Sequence, residues 1–251
     1  LVDDLRMLKS PAEIALIREA CRWGDHAHRL MQDAIRVGAD ELLISHGASL
    51  EATRDMLREL GPRYAPKSRE GMPAQAMFIR GANTANPHGL HQGGGVQRGD
   101  VLVTGAFALV GGYASELERT MVVGEPAPEV ARYFAAMKAA QDAAFQALKP
   151  GRSCAEVEAE VQGFIERELG LGHTLRHHTG HAFGLEGHEH PFLDLDDPTL
   201  IAPGMIFSLE PGLYLPGLAG FRHSDTVLVT EDGCENLCGY PRDLESLSVP
   251  A

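Results

Sequence analysis

The chain has 251 residues, 44% hydrophobic and 23% charged, which is enough apolar material for the core of a globular protein. Its net charge of −13 opposes binding to phosphate backbones, because nucleic-acid affinity rests on lysines and arginines that displace counterions. No window approaches the roughly 18 consecutive apolar residues of a membrane span, and the opening Leu1-Val2-Asp3-Asp4-Leu5-Arg6 lacks the basic and apolar regions of a signal peptide. The expectation is a cytoplasmic protein with neither nucleic acid nor membrane as partner.

In chain order, Ser10-Pro11-Ala12-Glu13 combines an N-cap serine, a proline at the first helical position and a capping-box glutamate, so a helix begins there. Ile14, Ile17, Ala20, Cys21, Met31 and Ile35 keep helical spacing until Val37-Gly38, and a second helix is predicted from Leu50 to Leu60, before Gly61-Pro62. Strand-like segments follow near Met77 to Ile79, Val101 to Val103 and Thr120 to Val123. After Pro128 the apolar stripe Val130, Phe134, Met137, Ala144 and Leu148 predicts a third helix. A second capping box, Ser153-Cys154-Ala155-Glu156, opens a fourth that runs to Leu169-Gly170. Strands are predicted again near Ile206 to Leu209 and Thr226 to Val229. Arg58-Glu59-Leu60-Gly61 and Arg167-Glu168-Leu169-Gly170 close the two helix pairs alike, so the chain reads as a duplication. That implies an α+β domain with two related halves, about 10–125 and 128–240, whose sheets face a shared cleft.

Half of the twelve histidines fall between His173 and His190, a density that suits proton transfer or metal ligation. Cys21, Cys154, Cys234 and Cys238 form no Cys-x-x-Cys pair and lack a histidine at zinc-finger spacing, so they read as reduced structural thiols.

Four segments line up in order: Asn86-Pro87-His88; Gly99-Asp100 running to Tyr113-Ala114-Ser115-Glu116-Leu117-Glu118-Arg119-Thr120; His177-His178-Thr179-Gly180-His181; and Ser208-Leu209-Glu210-Pro211-Gly212. This order resembles the creatinase, aminopeptidase P and prolidase superfamily. The resemblance covers essentially the whole chain and implies the pita-bread fold as a single catalytic domain, 1–251, without the family's usual N-terminal domain. It also implies homodimerisation. The family's peptidases hold two divalent metals through two aspartates, a histidine and two glutamates. Carried over residue by residue, the first aspartate falls at Gly105, the second at Glu116, the histidine at His181, the first glutamate at Glu210 and the second at Ser224. Glycine donates no side-chain oxygen and serine is neutral, so a dinuclear centre is not expected.

Creatinase is a metal-free hydrolase on this fold, and the segment ending Leu117-Glu118-Arg119-Thr120 resembles it. By that resemblance His88 is general base and acid, Glu118 and Glu210 grip a guanidinium group, and His181 donates a hydrogen bond. Tyr113, Glu116, His177, His188 and Arg222 are expected at the substrate, whereas His173, His178 and His190 are expected near the surface or behind the site. Glu116, Glu118 and Glu210 gathered without metal would repel one another, so a substrate cation, Arg119, Arg222 or one ion must relieve them. The reading is a hydrolase of a C–N bond in a small cationic or amide substrate, with no cofactor expected. One alternative is an Xaa-Pro peptidase with a single manganese, cobalt or zinc ion on Glu116, His181 and Glu210, taking short peptides. Another is a catalytically inactive peptide-binding domain. Ser224 as a nucleophile is disfavoured, because its neighbours His223 and Asp225 point to the opposite face of a strand.

Overall fold

The computed structural model describes residues 2–66 and 71–251. A short helix α1 (Val2–Met7) precedes α2 (Pro11–Ala34) and α3 (Glu41–Leu60), then strands β1 (Ala74–Arg80), β2 (Val101–Val110) and β3 (Tyr113–Val123). The second half supplies α4 (Pro128–Ala147), α5 (Cys154–Gly163), β4 (Gly180–Ala182), β5 (Glu189–Leu193), β6 (Ile206–Leu209), β7 (Gly212–Leu215), β8 (Ala219–Arg222) and β9 (Ser224–Val229). Two short strands, β10 (Cys234–Asn236) and β11 (Ser248–Val249), complete it. The predicted α+β class and alternation of helix pairs with strands are what the structure contains.

Both predicted capping boxes form: the Ser10 hydroxyl accepts from the Glu13 amide and the Ser153 hydroxyl from the Glu156 amide, with each glutamate returning the bond. The second helix starts earlier than Leu50, because Asp40 caps it by accepting from the amides of Leu42 and Leu43. Exposed Leu42 and Leu43 had obscured the apolar stripe over that first turn.

Among the described residues the main sheet runs β1-β2-β3-β9-β6-β4-β5, so strands of both halves join in one sheet; β10 pairs with β9 and β11 with β3. β7 and β8 form a separate hairpin. Alternation along β3 divides its side chains between two environments. Ser115, Leu117 and Arg119 turn toward α2, where Gly24 passes so close to Ser115 that an added Cβ would lie 3.1 Å from its hydroxyl. Glu116 and Glu118 turn to the opposite face. Register places Gly105 opposite Glu118 and Phe107 opposite Glu116, so all four share that face. Ser224 in turn stands opposite Glu118 from β9.

No helix among the described residues is long and apolar enough to cross a membrane. Cys21, Cys154 and Cys238 are buried and Cys234 half-buried, all as free thiols.

Candidate active site

A cavity of about 310 Å³ opens on the face that carries Glu116 and Glu118, lined also by His88, Gly105, Phe107, His181, His188, Glu210 and Arg222. Residues far apart in the chain meet there because β3, β4, β6 and β9 lie side by side. Close strand approach at Gly180 helps: an added Cβ would sit 1.9 Å from the Ser208 carbonyl oxygen, so only glycine allows β4 this path beside His181. Glu158, buried on α5, accepts the Thr179 amide at 2.8 Å and fixes the segment leading into β4.

Each carboxylate already has a partner. Both Glu118 oxygens receive the Arg222 guanidinium, Nη2 at 2.7 Å and Nε closer still. The remaining Arg222 nitrogen, Nη1, donates to the Tyr214 hydroxyl at 2.7 Å and to the Pro87 carbonyl at 2.9 Å. Glu116 Oε1 accepts hydrogen bonds from Ser208 and Ser224, each at 2.7 Å. His181 Nε2 faces Glu210 Oε1 at 3.3 Å and Glu116 Oε2 at 3.8 Å. Its Nδ1 lies 3.1 Å from the Ala182 carbonyl, to which it donates.

Burial disfavours a charged His181, but the Glu210 hydrogen bond and the charges of Glu116 and Glu210 outweigh it and lift its pKa to about 9. Burial, opposed by the His181 bond and reinforced by the charges of Glu116 and Glu118, pushes Glu210 up to about 7. His177 is drawn down to about 4, mainly by burial. Its Nδ1 donates to the His178 carbonyl, which leaves Nε2 to accept from Tyr214 at 2.8 Å.

His88 lies exposed at the cavity rim, next to the Pro87 carbonyl that Arg222 holds. His188 is also exposed and stacks on His181 with ring centroids 4.0 Å apart. His177 stands behind the cavity and reaches it through Tyr214 and Arg222. Tyr113 departs from expectation: its hydroxyl donates to Glu13 at the start of α2, at 2.6 Å, and it does not line the cavity. Glu118, expected to grip a substrate guanidinium, holds that of Arg222, one of the cations expected to relieve the carboxylates. His173 and His190 are exposed, and His178 is half-buried behind the site. Ser224 is fully buried and bonded to Glu116, while Asp225 pairs with Arg119 at 2.7 Å on the other face. No nucleophile triad forms.

Tyr214, Ser208 and Phe107 were not singled out from sequence. Ser208 lies two residues before Glu210 and Phe107 two after Gly105, so strand alternation carried a signal for both. Tyr214 lies on the separate β7–β8 hairpin and left none.

The donor set does not fit two metal ions. A Cβ on Gly105 would meet the Phe107 ring at 3.1 Å, so that ring occupies the space a carboxylate there would need. Ser224 offers a neutral hydroxyl already committed to Glu116. Glu116, His181 and Glu210 each present one ligand atom, all within 4.8 Å of one another, and this mixed nitrogen and oxygen set fits a single ion.

The profile of metallopeptidase family M24 matches residues 15–231. The chain is 33% identical over 244 residues to an Xaa-Pro dipeptidase of Pyrococcus furiosus, covering 97% of this chain and 66% of that protein. It is 29% identical over 243 residues to the putative dipeptidase YkvY of Bacillus subtilis, covering 97% and 63%. Among solved structures, the Xaa-Pro dipeptidase from Bacillus anthracis superposes with a TM-score of 0.87 at 30% identity, covering all of this chain and 66% of that one. The prolidase from Pyrococcus horikoshii OT3 gives 0.86 at 29% identity, covering 97% and 66%. The chain thus spans about two thirds of the length of these relatives.

Proposed function

From the premise that the chain belongs to metallopeptidase family M24 and has its pita-bread fold, we propose that it hydrolyses a C–N bond of a small cationic or amide substrate without a two-metal centre. The observation that carries this reading is that two positions at the cavity offer no carboxylate. Phe107 lies over Gly105, and Ser224 is tied to Glu116, while His88, His181, Glu210 and Arg222 still line one cavity.

In this reading the substrate enters past His88. Water attacks the amide or amidino carbon and His88 takes its proton, then returns it to the departing nitrogen. Glu210, braced by His181, accepts hydrogen bonds from the nitrogen groups of the substrate. Arg222 holds the Pro87 carbonyl and so fixes the backbone next to His88. Homodimerisation and a cytoplasmic location belong to the same reading through the resemblance alone.

The geometry of Glu116, His181 and Glu210 favours a second reading, an Xaa-Pro peptidase that holds one ion, as the names of the relatives suggest. The ion would act as a Lewis acid, while the chain's own residues place the peptide. Elemental analysis after supplying manganese, cobalt or zinc, with turnover of amidines, amides and proline dipeptides measured in chelator, separates the two. At most one ion per chain, with turnover kept in chelator, is expected. Turnover that requires one ion supports the peptidase, and two tightly bound ions overturn both.

A further inference from the structure

A second cavity, of about 260 Å³, lies beside the first on the same face of the sheet. The two share three lining residues, Phe107, Glu116 and His188. Register explains the succession: Gly105 opposite Glu118, then Phe107 opposite Glu116, then Leu109 opposite Ala114 are successive same-face rows along β2 and β3. The first two rows floor the first cavity and the last two floor the second. The Phe107 ring stands at the boundary, and it leans over Gly105 because no Cβ stands in its way. His188, an exposed side chain, also lines both cavities. Two side-chain rings therefore form the partition.

The lining of the second cavity is mostly apolar. Pro73, Phe107, Leu109, Ala114 and Phe183 contribute to it, and Phe107 and Leu109 are only half-buried on strands whose other residues are almost all buried. Four polar side chains join it, Gln75, Ser115, Glu116 and His188, and two of these are engaged. The Ser115 hydroxyl accepts from the Ala108 amide, and Oε1 of Glu116 accepts from Ser208 and Ser224. A wall in which apolar side chains predominate selects ligands chiefly by apolar surface.

We infer that the second cavity is a subsite for an apolar arm of the substrate, a short acyl or alkyl chain that passes between Phe107 and His188 from a polar head held in the first cavity. The inference rests on the proposed function for the head, whereas the arm stands on the second cavity alone. Phe107 is then a specificity-determining residue. Its ring is the wall that the chain must cross, and Gly105, besides lacking a ligand atom, gives that ring its resting place.

The test uses two matched series, straight-chain amidines from acetamidine to hexanamidine and the uncharged amides of the same lengths, titrated calorimetrically into the protein. Each added methylene that reaches the subsite should tighten binding about fourfold, the effect of burying one CH₂. Ala114→Phe, which fills the second cavity, should end that gain early while leaving acetamidine affinity unchanged. Phe107→Ala should weaken the dependence on length by widening the passage. If length dependence and its loss in Ala114→Phe appear equally in both series, the subsite stands and the cationic head falls. Absence of length dependence in both series, or its persistence in a folded Ala114→Phe, overturns the subsite.

Discussion

Arg222 and Glu118 offer the sharpest test of how this cavity holds its charges. Their side chains are 8% and 10% exposed, and the guanidinium meets both carboxylate oxygens. Breaking such a buried pair from one side costs about 3 to 5 kcal/mol, since the remaining charge is left without compensation. That is a large part of the roughly 5 to 15 kcal/mol that holds a domain folded. Arg222→Met should be the costlier single change, because it also leaves the Tyr214 hydroxyl and Pro87 carbonyl without their donor. In Glu118→Gln the arginine keeps Glu210, 3.8 Å away, as a weaker counter-charge. The double variant should be less destabilised than the sum of the two singles by about 2 kcal/mol, within the range of coupled neighbours. Urea unfolding of the four proteins, with free energies extrapolated to water, gives the cycle. A coupling below about 0.5 kcal/mol would show that the pair is not what neutralises Glu118.

Two further outcomes test the proton carrier and the altered wall. His88→Ala, at an exposed position, should keep the fold and KM while kcat falls by about a hundredfold or more; full turnover in steady-state kinetics would remove His88 from the reaction. Gly105→Asp should cost about 1 to 3 kcal/mol in unfolding experiments, because the Phe107 ring must leave its place. An unchanged stability there would mean that the ring moves freely.

How much of this was legible beforehand differs by element. The starts of α2 and α5 could be read because a capping box is local: serine and glutamate three residues apart satisfy each other's backbone. The start of α3 lies nine residues before the predicted Leu50, because exposed leucines break the stripe after Asp40. Strand β4 has only three residues, too few for alternation to show, although it carries His181. The cavity residues His88, Glu116, Glu118, His181, His188, Glu210 and Arg222 were all named from motif order, and the structure brings them together. What spacing could not show was who pairs with whom. Glu118 and Arg222 are separated by 104 positions, and they become neighbours where the end of β8 meets β3, the Thr120 hydroxyl bonding the Arg222 backbone. Tyr113 was misassigned for the complementary reason: it begins the strand that bears Glu116, but its own partner lies on α2.

The pairing pattern also explains how this wall tolerates three carboxylates. Four converging carboxylates would call for more than one cation, but Gly105 and Ser224 carry no charge here, and the carboxylates present have donors built into the chain. Arg222 answers Glu118, the Ser208 and Ser224 hydroxyls answer one oxygen of Glu116, and His181 lies between Glu116 and Glu210. Ser224 is neutral and donates a hydrogen bond to the charge of Glu116. Restoring a carboxylate at Ser224 alone would place it against Glu116 and Glu118 with no added cation, a repulsion that only a proton or an ion could relieve.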